Sequence, residues 1–270
     1  MNQSSPPITG KTRLYGLIAD PVEHVRVPTV FNQFIHSRGV DAVVVALHIA
    51  PEQLAEGVAG IRSIRNFAGI MFSIPHKEAA VDLCNEILPN AKACGAVNSV
   101  RIDPDGRLIG ETFDGLGMVK SIETQRTLDS NTRVLLVGAG GTGRAIAVAI
   151  ALAGIGYLAI ANRTVSKADE LADTVRGAAP ACVVESGSSF DPSGFDIVVN
   201  ATSLGLNGQG PMPIDISRVS ESALVAEVVM EPEITPLLQA AQERRLPVVR
   251  GLEMLNKQVD IVAEFLGIAE

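Results

Sequence analysis

Val134-Leu135-Leu136-Val137-Gly138-Ala139-Gly140-Gly141-Thr142-Gly143-Arg144-Ala145 is the stretch whose reading decides the fold. The apolar, β-branched run 134–137 reads as a buried strand. A glycine-rich turn follows at once, and the Ala/Ile-rich segment 145–152 reads as a helix. Gly138, Gly140 and Gly143 have the G-x-G-x-x-G spacing. In that arrangement the first glycine permits a tight turn, the second lets the backbone approach a pyrophosphate, and the third lets helix pack on strand. The helix N-terminus then offers free N–H groups and a positive dipole end to phosphate. A bare G-x-G-x-x-G is a weak signal, but here strand and helix frame it. Gly138, Ala139, Gly140, Gly141, Thr142 and Gly143 are therefore expected to hold a dinucleotide.

The motif opens near the middle of 270 residues, so a sizeable unit precedes it and two domains of ordinary size are expected. With 47% hydrophobic and 19% charged residues the composition is that of a core-forming globular chain. A net charge of −8 argues against a nucleic acid or an anionic membrane as partner. Cys84, Cys94 and Cys182 show no C-x-x-C pairing and suit a reducing cytoplasm. Met1-Asn2-Gln3-Ser4-Ser5-Pro6-Pro7 has neither a basic region nor an apolar run, so no signal peptide is expected. The most apolar stretch, 148–161, is shorter than the ~20 residues of a spanning helix, and Gly154 and Gly156 interrupt it. The histidine spacing suggests no metal site.

Strand and helix signals alternate throughout, which predicts an α/β architecture. Ahead of the motif, 14–19, 42–49 and 67–74 read as strands, and 28–37 and 51–64 as helices. Segments 96–102 and 107–112 flank the turn signal Asp103-Pro104-Asp105-Gly106 and read as a hairpin. Segment 115–127 reads as a helix near the domain crossing. After it the strands 134–137, 157–161, 181–185, 196–200 and 224–228 form a βαβ series, followed by a helix at 235–245 and a short strand at 248–249. The tail 254–266 keeps helical apolar spacing (Met254, Leu255, Val259, Val262, Phe265, Leu266) and is expected to pack back on the first domain.

An NAD-preferring site usually places an acid ~20 residues past the glycines, on the ribose 2′-hydroxyl. Here the second strand runs into Asn162-Arg163-Thr164, and no acid occurs from 157 to 167. Arg163 and Lys167 lie four apart at a helix start with Thr164 between them. Two cations and a hydroxyl suit a 2′-phosphate. NADP is the expected cofactor and NAD the alternative, in which the two cations are a solvated surface pair.

These motifs resemble the shikimate/quinate dehydrogenase family, in order and over nearly the whole chain. The matching elements are Gly16-Leu17-Ile18-Ala19-Asp20-Pro21-Val22-Glu23-His24, Ile74-Pro75-His76-Lys77, Gly95-Ala96-Val97-Asn98, Asp114-Gly115, Asn162-Arg163-Thr164 and Asn200-Ala201-Thr202-Ser203-Leu204-Gly205. Thr235-Pro236-Leu237-Leu238 and Gly251-Leu252-Glu253-Met254-Leu255 with Gln258 complete the set. The resemblance implies a discontinuous substrate domain (1–114 plus 250–270) and a Rossmann-type NAD(P)-binding domain (115–249), with a cleft between them. It implies reversible hydride transfer between the nicotinamide and a ring hydroxyl or ketone of shikimate, 3-dehydroshikimate or a related alicyclic compound, in aromatic amino acid biosynthesis, by a monomer or homodimer. Lys77 and Asp114 match the family's catalytic pair. An alcohol gives up hydride readily only as its proton leaves, so some group must accept that proton and steady the oxyanion. On their own, Lys77 reads as a helix-start lysine and Asp114 as a turn or N-cap residue. Ala201, Thr202 and Ser203 match the family's nicotinamide-side loop, and Gly251 and Met254 are implied to bind the cofactor as well.

The departures fall on the substrate contacts. The family's His-Ser-x-Ser-Pro, whose serines hold the substrate carboxylate, reads His24-Val25-Arg26-Val27-Pro28. Its Asn-Val-Thr-x-Pro reads Met71-Phe72-Ser73-Ile74-Pro75, its Asn-Thr-Asp reads Thr112-Phe113-Asp114, and its tyrosine before the Thr-Pro-Leu element is Met230. Asn98 and Gln258 remain. Hydrogen bonds to a charged group contribute about 1.5–3 kcal/mol each, so losing both serines costs ~10²–10⁴-fold in affinity for a carboxylate. Strand-like alternation through 25–27 turns Arg26 to the other side. The expected substrate end, made of Val25, Val27, Ser73, Asn98, Thr112, Met230 and Gln258, is therefore more apolar than the family's, with shikimate a poor substrate. The competing reading is a catalytically weak dinucleotide sensor or regulator on the same fold.

Overall fold

The structure, a computed structural model, describes residues 7–268. Residues 1–6, on which most of the leader-sequence reading rests, lie outside the described residues. The chain forms two compact units. One contains the residues up to Lys92, Ala96–Phe113 and the residues from Gln258 onward. The other contains Ala93–Gly95 and Asp114–Lys257.

The first unit is built on strands β1 (Arg13–Ala19), β2 (Ala42–His48), β3 (Phe67–Phe72), β4 (Glu86–Ile87), β5 (Ser99–Ile102) and β6 (Leu108–Glu111), in the order β2-β1-β3-β5-β6-β4. β2, β1 and β3 run parallel because helices α1 (Val27–Arg38) and α2 (Leu54–Arg62) carry the chain back between them. β5 is antiparallel to both β3 and β6, so the sheet is mixed. Ile18, Ile70, Phe72, Val97, Val100 and Leu108 fill its core, with Leu54, Val58 and Ile61 of α2. β2 is a sheet edge, and Asn32 of α1 covers part of it. Its side chain both donates to the Val44 carbonyl and accepts the Val44 N–H, each at 2.8 Å.

Short elements fill 79–94, where the sequence has no usable periodicity: a 3₁₀ turn at Ala79–Leu83, then β4, then α3 (Pro89–Cys94). Buried Glu111 caps α3, accepting the Ala91 N–H at 2.7 Å, and also accepts the Thr112 N–H at 2.7 Å.

The second unit contains α4 (Asp114–Glu123), β7 (Arg133–Val137), α5 (Gly141–Leu152), β8 (Tyr157–Ala161), α6 (Val165–Ala178), β9 (Val183–Gly187), β10 (Ile197–Asn200), β11 (Leu224–Glu227), α7 (Pro236–Glu243), β12 (Val248–Val249) and α8 (Gly251–Asn256). Its sheet is all parallel, ordered β12-β11-β10-β7-β8-β9. The strands read as near-continuous apolar runs because both faces are covered. The chain leaves β7 in one direction and returns to start β10 on its other side, which is the Rossmann-type switch point. α4 lies so close to α5 that a Cβ on Gly115 would stand 2.2 Å from the Ala145 carbonyl oxygen.

Two expectations need correction. The tail is not one helix: α8 ends at Asn256, and α9 (Val259–Leu266) starts anew after Gln258, its N-cap. The apolar spacing continues across the break because each helix buries its own face, so periodicity could not reveal it. Residues 25 and 26 form no strand, and Val27 is the first residue of α1. Pro28 sits in the first helical turn, where its missing N–H is no loss, and the Arg26 carbonyl accepts the Val30 N–H at 3.1 Å. Period-two alternation therefore does not orient Arg26.

Candidate functional site

In the first unit the predicted substrate-side residues gather at one end of the sheet. The parallel strands β1 and β3 end there, antiparallel β5 begins there, and β6 ends there. The backbone ties these ends together: Ser73 donates to Ile18 (2.9 Å), Asp20 to Ile74 (3.0 Å), Phe72 to Asn98 (2.8 Å) and Asn98 to Glu111 (3.1 Å). Ser73 follows β3 and Thr112 follows β6. Lys77 lies half-buried in the turn after β3, its carbonyl held by the Val97 N–H at 2.8 Å. Asn98 and Gln258 are 160 residues apart in sequence, yet the Asn98 amide donates to Gln258 Oε1 at 3.4 Å. Asn98 Oδ1 also accepts from Ser99 Oγ (3.0 Å) and the Phe113 N–H (3.2 Å). The Thr112 hydroxyl is buried and has no hydrogen-bond partner among the described residues. Val25 and Val27 are half-buried on the connection from β1 into α1.

Two histidines border this end. His76, 1% exposed, immediately precedes Lys77, and burial lowers its pKa against the opposing effects of the Ile49 backbone and the Asp20 carboxylate. Burial likewise lowers that of His24, against Glu23. The neutral imidazole is the favoured form of both near pH 7.

In the second unit the glycine turn follows β7 directly. Gly138 has φ +112°, and a Cβ there would stand 2.9 Å from the Ala201 backbone. A Cβ on Gly143 would stand 2.2 Å from the Gly138 carbonyl oxygen, so α5 rests on the turn. Gly140 differs: its backbone is ordinary extended chain (φ −83°, ψ 180°), and a Cβ would meet nothing within 4 Å. Among the described residues no atom requires glycine at that position.

Asn162 joins this turn to the end of β8. Its Oδ1 accepts the Ala139 N–H at 3.1 Å and its Nδ2 donates to the Thr164 carbonyl at 2.8 Å. Arg163, Thr164 and Lys167 are exposed at the start of α6. Thr164 is the N-cap residue but makes no side-chain cap bond, and neither cation enters an ion pair among the described residues. Asp114 opens α4, 4% exposed, and accepts from Thr142 Oγ at 3.3 Å. Ala201, Thr202 and Ser203 follow β10 beside the switch point. Half-buried Met230 lies beyond β11, Gly251 opens α8, and Met254 is buried within it. Sequence reading missed one residue here, Glu227. It ends β11 with no exposure, and burial pushes its carboxyl up to about 7, against the Thr235 and Asn200 side chains. Among the described residues no cluster of His, Cys, Asp and Glu suits a metal, and no helix is long and apolar enough to cross a membrane.

This two-part arrangement has close counterparts. Residues 17–100 match the shikimate dehydrogenase substrate binding domain family, and residues 122–205 match shikimate / quinate 5-dehydrogenase. A shikimate dehydrogenase (NADP(+)) of Geobacter sp. (strain M21) is 37% identical over 93% of this chain and 88% of its own length. The chain belongs to the shikimate/quinate dehydrogenase family. A crystal structure of a shikimate dehydrogenase in complex with NADP+ superposes with a TM-score of 0.88 at 31% identity, covering 97% of this chain and 92% of that one. The ligand-free 5-ketofructose reductase of Gluconobacter sp. strain CHM43 gives 0.83 at 32% identity, covering 96% and 94%. Other shikimate and quinate dehydrogenases have been crystallised with NAD. As a member of the shikimate/quinate dehydrogenase family, the protein is an NAD(P)-dependent oxidoreductase.

Proposed function

We propose that the protein uses NADP to interconvert a ring hydroxyl and ketone on a polyhydroxylated substrate that is not held by a carboxylate. The observation that carries this is the Thr112 hydroxyl, buried and without a hydrogen-bond partner among the described residues, at the sheet end that also bears Lys77, Ser73, Asn98 and Gln258. A buried polar group without a partner calls for an explanation, and a substrate hydroxyl supplies one. Val25 and Val27 stand where two hydroxyls would be needed for a carboxylate, and valine desolvates such a charge without compensating it. A 5-ketofructose reductase among the relatives supports a substrate without a carboxylate.

NADP, when bound, supplies or accepts the hydride. Lys77 takes the proton of the reacting hydroxyl as hydride leaves and returns it in the reverse direction, a role supported by the match of Lys77 and Asp114 to the family's catalytic pair. The N-terminus of α5 and the turn 138–143 receive the pyrophosphate, and Arg163, Thr164 and Lys167 receive the 2′-phosphate. Arg163→Ala is expected to weaken NADP about 10–100-fold and NAD less than about threefold. Kd values for both nucleotides check this, and an equal loss for both counts against the assignment.

Val25→Ser with Val27→Ser tests the substrate end. The double variant is expected to raise kcat/KM for shikimate by at least about tenfold, since each restored hydroxyl can bond a charged group. No gain would overturn the assignment of these two valines.

A further inference from the structure

Asn200 closes β10 at the switch point and is 1% exposed. Its Oδ1 accepts the Thr202 N–H (3.1 Å) and hydroxyl (2.6 Å), and its Nδ2 donates to the Leu204 carbonyl (3.1 Å) and to Glu227 Oε2 (3.3 Å). All four hydrogen-bonding capacities of the amide are in use. Thr202 Oγ in turn accepts the Leu204 N–H at 3.0 Å. The loop 200–205 is thus folded around Asn200, and the only one of those bonds that leaves the loop ends on Glu227. The same loop borders the phosphate turn, because the Ala201 backbone and Thr202 side chain would each be 2.9 Å from a Cβ on Gly138. In a sheet of this order the two halves of a dinucleotide lie on opposite sides of the switch point. The Asn162 side, beyond β8, takes the adenosine half, which leaves the loop after β10 for the nicotinamide.

We propose that Glu227 is a positioning residue for the nicotinamide half of the cofactor: through Asn200 it sets where loop 200–205 stands against the phosphate turn. This rests on the cofactor reading above. A fully buried carboxyl is a costly way to anchor a strand end, and its burial shifts its protonation accordingly. The tie to Asn200 gives it a use that apolar packing would not. Its effect is confined to one end of the cofactor, because the Asn162 and Arg163 side of the sheet makes none of these bonds.

The test needs no substrate. Kd is measured for NADPH and for 2′,5′-ADP, which lacks the nicotinamide, together with the fluorescence emission of bound NADPH. Glu227→Ala is expected to weaken NADPH about tenfold and shift its emission toward that of free NADPH, with 2′,5′-ADP changed less than about twofold. Glu227→Gln, which keeps the bond to Asn200, should restore most of the NADPH affinity. Should Glu227→Ala fail to fold, Thr202→Val cuts the same chain from its half-buried end and should give the same selective loss. Equal weakening of both ligands, or unchanged NADPH affinity and emission, would overturn the proposal. Wild-type protein that binds neither ligand would overturn the cofactor reading and the proposal with it.

Discussion

Lys77→Ala is expected to lower the rate of NADP-linked oxidation of a ring alcohol by about 10²–10⁴-fold, the range that a positioned acid–base group contributes. The expectation rests on the proton. Hydride cannot leave the carbon at a useful rate while the hydroxyl keeps its hydrogen, and Lys77 is the residue to which we assign it. The substitution should be mild for the fold. Lys77 is half-buried in a turn whose backbone is held by Val97, and alanine keeps that backbone bond. NADPH affinity should therefore stay within about twofold. Lys77→Arg should not rescue, because a guanidinium does not give up its proton near neutral pH. Steady-state rates with Kd measured on the same samples check both halves. A protein that only senses the dinucleotide has no rate for this substitution to remove.

Two glycines separated by three positions should behave in opposite ways. Gly143→Ala drives a methyl into the Gly138 carbonyl, 2.2 Å away, so the turn and α5 must part. Overpacking of that kind costs about 1–3 kcal/mol, and the melting temperature should fall with it. Gly140→Ala meets no protein atom within 4 Å and leaves an ordinary extended backbone unstrained. Its stability cost should be within about 1 kcal/mol, the difference between glycine and alanine at an N-cap. NADPH binding should nevertheless weaken about 10–100-fold, since the methyl keeps the pyrophosphate from charge-assisted bonds worth about 1.5–3 kcal/mol each. Thermal melts and NADPH titrations of the two variants check this. If Gly140→Ala binds NADPH normally, the phosphate does not lie against this turn.

The α/β rhythm was legible because both kinds of element leave a period. The strand 134–137 with its glycine turn is β7 running into α5, and the apolar runs 157–161 and 224–228 lie in the same parallel sheet. What escaped has physical causes. α3 is six residues long and is capped by Glu111 from the neighbouring strand β6, a tie that no local pattern shows. The break at Gln258 is hidden because Val259 and Val262 keep the spacing set by Met254 and Leu255. At Val25-Arg26-Val27, alternating residue types imitate a strand where a helix begins at Val27. The meeting of Asn98 with Gln258 is legible only through resemblance, since no spacing rule links residues 160 apart. Glu227 was invisible for the converse reason. A glutamate ending an apolar run reads as the point where the strand meets solvent, and only the fold shows it buried against Asn200.

We infer that cofactor and proton chemistry are kept while the substrate end has moved away from a carboxylate. The steady-state rate of NADP+ reduction by the wild-type protein with saturating shikimate tests it most directly, with NADPH affinity measured alongside. Tight NADPH binding is expected, with a rate far below ~10 s⁻¹, an ordinary turnover for an enzyme. A rate of ~10 s⁻¹ or more would contradict it, and would mean that Val25 and Val27 are compatible with a carboxylate held by other groups.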